Sequence, residues 1–231
     1  MSEQNYGKGA FLTIVDIKER VRELFPEHYE RVLTDICGQP PWTDILDDHK
    51  YKASYDLHLG NEVAKSTSKS PISLAKNNGV ITIEPGEFAL LHTLEKIHVP
   101  LDLMALISLR FSVKKKGLIN ISGFHVDPGY DDYLVFSVYN AGSRPICLRY
   151  GEAIFMIFYA TLTRDALIGY GRGPGETFKS EDIENLKGPA LTLINLNDRL
   201  DKAEAQLKIL IGLFIATLGS AIIAIITALH Y

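Results

Sequence analysis

The stretch HVDPGYDDYLVFSVYN, residues 125–140, places a tight turn directly before a run of alternating residues. Asp127 stands before Pro128 and Gly129, and a Pro-Gly pair is typical of tight turns. The alternation that follows has the period of a β-strand with one buried face. The stretch therefore predicts a strand that is entered through an aspartate-bearing turn. That aspartate is either part of a working site or only a turn residue, and Ser137 bears on the choice.

The same texture extends on both sides of this stretch, from Lys52 to about Leu162. Short segments rich in β-branched and aromatic residues alternate with Pro-Gly, Lys-Gly and Ala-Gly turns. This pattern favours an all-β barrel or sandwich over alternating strands and helices. We therefore predict a mainly β fold, with a β-barrel domain at residues 51–165.

Ahead of this domain, residues 1–50 form an N-terminal extension that is predicted to be helical. Residues 11–33 carry apolar positions at helical spacing, so they predict an amphipathic helix that ends at Pro26 or resumes after it. The positions on its apolar face are Ile14, Ile17, Val21 and Leu24.

The C-terminal end differs in composition, because residues 209–229 include no charged residue and no proline. Roughly 21 residues at about 1.5 Å each span about 30 Å, which is the thickness of a bilayer core. A buried core helix is the alternative, but core helices of this length usually carry a polar stripe. We predict a single transmembrane helix that anchors the chain at its C-terminal end. Lys202 and Lys208 precede it, and this charge bias places the N-terminal domain in the cytoplasm.

Two segments connect the β-domain to this helix. Residues 166–190 contain five glycines, so they are either a plain linker, which the composition favours, or a mobile lid that closes over a ligand through backbone N–H groups. Residues 191–208 repeat apolar positions at spacings of three and four, which predicts a coiled-coil stalk. A lone amphipathic helix lying on the barrel is the alternative. Within residues 209–229 a small residue recurs at every fourth position, and this pattern also predicts self-association.

The composition narrows the function classes. The net charge of −4 across 231 residues gives no sign of a nucleic-acid binder. The two cysteines, Cys37 and Cys147, are far apart, so neither a disulfide framework nor a cysteine-rich zinc site is indicated, and a reducing compartment suits the chain. The combination of HxE with PCxxC that zinc-dependent deaminases carry is absent, because the sequence has no PCxxC.

Three stretches point to nucleotide handling. The run SLRFSVKKKGL, residues 108–118, offers a guanidinium, a hydroxyl and ammonium groups that could bind phosphates, although a triple lysine alone is more often a solvated face. Asp127 could accept a hydrogen bond from a sugar hydroxyl or orient a water for attack. In the Gly-rich segment, Arg172 could supply a further phosphate contact.

In their order and spacing these stretches, over about residues 50–175, resemble the dCTP deaminase branch of the trimeric dUTPase superfamily. The resemblance implies a distorted β-barrel, a homotrimer with nucleotide sites between subunits, magnesium on the nucleotide triphosphate, and no zinc. It does not extend to the predicted stalk or to the transmembrane helix.

The resemblance also implies roles for single residues. The family's phosphate-binding Arg-Ser-Ser-x-x-Arg stretch reads RFSVKK here, so Arg110, Ser112 and Lys115 match in kind, while Phe111 replaces the first serine. Asp127 takes the position that binds the deoxyribose and, in dUTP-hydrolysing members, positions the attacking water. The residues that read the base are expected to be Val135 and Phe136, and the lid tyrosine is expected to be Tyr170.

Ser137 departs from the deaminating members, which carry a glutamate ten residues after that aspartate. The glutamate shuttles a proton between water and the leaving amine, and general acid–base catalysis of this kind is typically worth about 10² to 10⁴ in rate. We therefore predict a membrane-anchored deoxynucleotide-binding protein that lacks deaminase activity and acts as a nucleotide sensor or membrane effector. The alternatives are an active dCTP deaminase, a dUTP pyrophosphatase that uses Asp127, and a structural trimer that binds no nucleotide.

Overall fold

The computed structural model describes residues 10–37, 52–68, 70–76, 79–169 and 193–229, together with the single residues 178, 181, 184 and 186. The chain divides into two compact units, Met1–Ala190 and Leu191–Tyr231.

Three short helices open the first unit: α1 (Ile14–Glu19), α2 (Val21–Leu24) and α3 (Tyr29–Cys37). Helix α1 begins with a capping box, in which Thr13 Oγ1 accepts from the Asp16 backbone N–H and Asp16 Oδ2 accepts from the Thr13 N–H. The four predicted apolar positions are all buried. The region is helical as predicted and resumes after Pro26, but it also breaks at Arg20, so that it forms three helices.

Strands make up the rest of the described first unit, and every strand pair is antiparallel. One short helix, α4 (Phe111–Lys114), lies among them. The strands are β1 (Tyr55–Lys65), β2 (Ile72–Ser73), β3 (Val80–Ile83), β4 (Phe88–His98), β5 (Leu103–Leu109), β6 (Leu118–Asn120), β7 (His125–Val126), β8 (Asp131–Asn140), β9 (Ile146–Arg149) and β10 (Ala153–Thr161).

A sheet of eight strands runs in the order β6-β8-β4-β1-β10-β5-β7, with β2 paired to β1, and β3 pairs separately with β9. The large sheet curls into a half-barrel, which confirms the prediction of a mainly β, barrel-like fold. Along β5 and β8 the residues alternate between buried and half-buried, as the period of a strand with one core face requires. In the core Phe136 stacks on Phe155 with 4.1 Å between ring centroids.

The break between α1 and α2 falls at Arg20, whose ψ of 11° departs from helical values. Its guanidinium donates to both carboxylate oxygens of Asp102, at 2.7 and 2.9 Å, in the loop between β4 and β5. These hydrogen bonds hold the pKa of Asp102 below its usual value. The helical segment is therefore interrupted at a residue that ties the N-terminal region to the barrel.

Strands β1 and β4 are irregular where they pair. The register of β1 against β4 shifts between Leu59 and Val63, and the register of β4 against β8 shifts between His92 and Lys96, as at a β-bulge. Gly60 lies in this region, and a Cβ atom there would approach the Thr93 carbonyl oxygen to 2.5 Å. Only glycine therefore allows the two backbones to come this close.

The second unit contains one helix, α5 (Leu193–Leu229), which continues without a break through the predicted stalk and the predicted transmembrane segment. Residues 199–229 are long and apolar enough to cross a membrane. Lys208 Nζ lies 3.9 Å from Glu204 Oε2 on the polar part of the helix. A long apolar C-terminal helix is confirmed, whereas the coiled coil, the bilayer and the cytoplasmic orientation stay predictions.

Candidate functional site

The turn that carries Asp127 is held by backbone hydrogen bonds. Strand β7 pairs with β5 just before the turn. At Gly129 the backbone has a φ of 80°, which favours glycine, and its N–H donates to the Val99 carbonyl at 2.6 Å. The Tyr130 N–H donates to the Asp127 carbonyl across the turn. These bonds fix the backbone, while the Asp127 side chain remains 49% exposed.

A cavity of about 320 Å³ opens beside this turn. Its lining includes Asp127, His125, Ser122, Tyr130 and Val135. The imidazole Nε2 of His125 lies 3.7 Å from Asp127 Oδ1. The structure thus brings together Asp127 and Val135, two of the residues that the sequence predicts for sugar and base binding.

Val135 and Phe136 face different ways. The Ser137 N–H donates to Ser122 Oγ and its carbonyl accepts from the Ile121 N–H, so the backbone of Ser137 points towards β6. Along a strand, the backbone N–H and C=O groups of every second residue point to the same neighbouring strand. The backbone groups of Val135 therefore point towards β6, like those of Ser137, and those of Phe136 point towards β4. The Phe136 side chain is fully buried in the core. Phe136 is therefore turned away from this cavity.

Ser137 lies at the position of the family's glutamate, half-buried on the same face of β8 as Val135. Its contact with the cavity runs through Ser122, whose hydroxyl in turn donates to Asn120 Oδ1. Among the described lining residues, Asp127 carries the one carboxylate. The carboxylate of Asp131, a conceivable substitute, lies instead 3.8 Å from the Lys96 ammonium group.

The predicted phosphate-binding run follows β5 and enters α4. The Arg110 guanidinium donates to the Ala153 carbonyl at 3.2 Å, and its Nε lies 3.7 Å from Asp56 Oδ2. Ser112 and Lys115 are exposed. Their side chains and the rest of the guanidinium are thus placed where an anion in solvent could reach them.

Arg110 and Asp127 lie towards opposite ends of β5. Ala105 pairs with Val126, so Asp127 lies level with Met104, six residues before Arg110. At about 3.3 Å per residue the separation along the strand is about 20 Å. One chain therefore does not bring its phosphate-binding run to its own Asp127 cavity. The other predicted site residue, Tyr170, and Arg172 lie outside the described residues.

A second cavity, of about 250 Å³, lies where β1 and β4 shift register, and the sequence did not predict it. His92 lines it and is only 2% exposed, and its Nε2 has no hydrogen-bond partner among the described residues. Its ring lies edge-on against Phe178 with 4.4 Å between centroids. Burial lowers the pKa of His92 to about 4, although the charge of Asp132 works in the opposite direction. A histidine inside the apolar run FALLHTL was the one available signal.

This neutral histidine predicts a specific loss of stability in acid. An unfolded histidine takes up a proton near pH 6.5, whereas folded His92 resists protonation down to about pH 4. Between these values the unfolded chain binds more protons, so the free energy of unfolding falls as the pH drops from about 6.5 to about 4. We expect a contribution of about 3 kcal/mol, measured by urea denaturation as a function of pH. The His92→Phe variant should lose that share of the pH dependence and the half-buried control His98→Phe should keep it; equal slopes in all three proteins would contradict the assignment.

Asp35, His58 and Glu95 form the one cluster among the described residues that has metal-ligand spacing, with ligand atoms within 4.8 Å of one another. Glu95 is fully buried, and its carboxylate already accepts from the His58 ring at 2.6 Å and from the His58 N–H at 2.9 Å. The Arg31 guanidinium lies 3.6 Å from Asp35 and 3.8 Å from Glu95. Because a cation already balances these carboxylates, the cluster fits a structural contact between α3 and the sheet better than a metal site.

Comparisons with known proteins agree with this architecture. The family model described as dCTP deaminase-like matches residues 38–162. The dCTP deaminase of Pyrococcus furiosus is 36% identical over 126 residues, which cover 54% of this chain and 78% of that protein. The dCTP deaminase of Thermococcus kodakarensis is 37% identical over 110 residues, which cover 48% and 68% of the two chains.

Similar solved structures were also found. The 2'-deoxycytidine 5'-triphosphate deaminase of Agrobacterium tumefaciens superimposes with a TM-score of 0.47 at 17% identity, covering 67% of this chain and 49% of that one. The EIAV dUTPase superimposes with a TM-score of 0.39 at 20% identity, covering 55% of this chain and 91% of that one.

Proposed function

The chain belongs to the dCTP deaminase-like family, and on that premise we propose that its β-domain binds a deoxynucleoside triphosphate without deaminating it. The ligand is dCTP or dUTP, with magnesium carried on its phosphates as part of the ligand. The observation that carries this proposal is the Asp127 cavity, which has the predicted sugar-binding carboxylate, while a serine that contacts the cavity through Ser122 stands at the glutamate position.

In this proposal each nucleotide site is shared between two copies of the chain. Asp127 and Val135 of one copy receive the sugar and the base, and Arg110, Ser112 and Lys115 of a second copy receive the phosphates. The separation of about 20 Å along β5 supports this division, because a single chain holds the two groups too far apart. A homotrimer, as the family resemblance implies, supplies three such sites.

Exposed apolar side chains near the phosphate-binding run support the same assembly. Phe111 is 75% exposed and Phe124 is 69% exposed, and Ile119 and Ile121 are also exposed on the chain between them. Exposed apolar side chains grouped in this way are typical of an interaction surface. In this proposal Phe111, which replaces the family's serine, contributes packing between subunits rather than a phosphate contact.

The long apolar helix α5 gives the binding domain a membrane connection. We infer that residues 209–229 cross the bilayer once and that the β-domain lies in the cytoplasm, because Lys202 and Lys208 precede the apolar segment. A binding domain without the deaminase glutamate, joined to a membrane helix, suits a nucleotide sensor or membrane effector. Nucleotide binding would then report to the membrane segment rather than produce dUTP.

The test is calorimetry of the full-length protein in lipid nanodiscs, with dCTP and dUTP in the presence of magnesium and with assays for ammonia and pyrophosphate. We expect saturable nucleotide binding without ammonia release. Asp127→Asn and Arg110→Ala should each weaken binding by about 10- to 100-fold, since each loses a hydrogen bond to a charged group. The control Arg144→Ala removes an exposed arginine elsewhere and should bind normally. Ammonia release from dCTP, or binding that neither site variant weakens, would contradict the proposal.

A dUTP pyrophosphatase is the second candidate, and one contact favours it. His125 Nε2 lies 3.7 Å from Asp127 in the same cavity, so an acid–base pair is present beside the expected position of a water. Pyrophosphate release from dUTP that disappears in Asp127→Asn would support this candidate.

A further inference from the structure

The cavity around His92 is separate from the Asp127 cavity, since the two share no lining residue. His92 pairs with Val135 across β4 and β8, so the two cavities flank the same pair of strands. The His92 cavity draws its walls from several elements. The side chains that line it include those of His28, Asn61, Glu62, His92, Tyr133 and Tyr150.

The residues that line this cavity favour an uncharged ligand. None of the described residues that line it is a lysine or an arginine, and His92 is held neutral, so these residues offer a phosphate group no cationic partner. Burying a polar nitrogen without a hydrogen bond is unfavourable, and His92 Nε2 has no hydrogen-bond partner among the described residues. A ligand that bonds to this nitrogen would recover that cost. At about 250 Å³, the cavity is large enough for a small organic molecule as well as for water.

Glu62 and Asn61 define the hydrogen-bonding pattern at the wall. Glu62 Oε2 accepts from the Phe178 backbone N–H at 2.9 Å, which leaves Oε1 as an acceptor. Asn61 Oδ1 accepts from the Ser73 hydroxyl and from the Ala75 N–H. These two hydrogen bonds fix the orientation of the amide and leave its NH₂ group as a donor. An acceptor carboxylate beside an amide donor complements an amino group next to a ring nitrogen or carbonyl, which is the edge of cytosine. The aromatic rings of Tyr133 and Tyr150 add surfaces that suit a base.

We propose that the His92 cavity is a second ligand site, which binds a cytosine base or nucleoside that carries no phosphate. Glu62 accepts from the exocyclic amino group, Asn61 donates to the ring nitrogen or carbonyl, and His92 Nε2 bonds to the remaining polar edge. The site does not depend on the triphosphate site, because it uses neither Asp127 nor Arg110.

The test is binding of deoxycytidine and deoxyuridine to the full-length protein in nanodiscs, measured by calorimetry in the Asp127→Asn background, which weakens the other site. We expect saturable binding of deoxycytidine, and weaker binding of deoxyuridine because a carbonyl replaces its amino group. Glu62→Gln should weaken deoxycytidine binding by about 10- to 100-fold. Glu84→Gln, a control that removes an exposed carboxylate outside both cavities, should leave it unchanged.

A second measurement reads the site directly. In nitrogen-15 spectra of the histidine rings, deoxycytidine should shift the His92 Nε2 resonance, and His92→Phe should abolish binding while dCTP still binds to protein with intact Asp127. The proposal fails if deoxycytidine does not bind in the Asp127→Asn background, which would mean that the cavity holds only water. It also fails if binding is insensitive to Glu62→Gln. Loss of dCTP binding in Asp127→Asn bears on the triphosphate site alone, so the two proposals fail separately.

Discussion

Replacing Ser137 by glutamate is expected to raise ammonia release from dCTP by about 10² to 10⁴ over the wild-type background, because it restores the missing proton shuttle. Ser137 lies on the same face of β8 as Val135, and its N–H bonds to Ser122, which lines the Asp127 cavity. A carboxylate introduced there would lie beside a cavity in which Asp127 carries the one carboxylate among the described lining residues. The measurement is ammonia release by the full-length protein with dCTP and magnesium.

The matched control is Ser137→Gln, which has nearly the same shape as glutamate but cannot exchange a proton near neutral pH. Calorimetry with dCTP should show that both variants bind the nucleotide, so that a change in rate is not a change in occupancy. Equal rates for the glutamate and glutamine variants, with binding intact in both, would show that the proton shuttle is not what the cavity lacks. Rapid ammonia release by the wild-type protein would remove the basis of the proposed function.

Local sequence signals predicted the features that depend on neighbouring residues. The Asp-Pro-Gly turn and the alternation of β8 appear in the structure as expected, because turn chemistry and strand period are properties of a few adjacent residues. The apolar face of residues 11–33 was also predicted, but the break at Arg20 was not. That break coincides with a bidentate hydrogen bond to Asp102, 82 residues away, and no local pattern reports such a partner.

In the candidate site, too, some features were predictable from the sequence and others were not. The order of residues around Asp127 predicted that Asp127 and Val135 would lie together, and they line one cavity. The family resemblance assigned both Val135 and Phe136 to the base, and the structure adds that the Phe136 side chain is buried in the core. The His92 cavity arises from register shifts in two strands around Gly60, and a shift of register depends on pairing between distant segments.

The continuous helix α5 changes what the two C-terminal predictions mean together. The stalk and the transmembrane segment were inferred from different patterns, namely apolar spacing and the absence of charge. Their union in one helix of 37 residues would let a rotation or shift in the stalk reach the bilayer without crossing a flexible joint. This is the arrangement that a sensor with a membrane output requires.

Mixing two defective chains is expected to restore about a quarter of the nucleotide sites, although neither chain binds well alone. If each site takes Asp127 from one copy and Arg110 from the next, a random ring of Asp127→Asn and Arg110→Ala chains in equal amounts contains sites of every combination. A site is intact when one neighbour keeps its aspartate and the other keeps its arginine, and each condition holds for about half of the chains.

Chains bearing two different tags would be co-expressed, purified through both tags and reconstituted in nanodiscs, and the number of dUTP sites would be counted by calorimetry. Because double-tag purification removes pure rings, the restored share should be at least a quarter, whereas a mixture of separately purified proteins should stay near zero. The control assembly joins Asp127→Asn with a chain that carries both substitutions, and it should restore no sites because no chain in it keeps Asp127. If each chain carried a complete site of its own, every chain in the first mixture would be defective and no sites would return. Restoration therefore tests directly the shared site that the distance of about 20 Å along β5 supports.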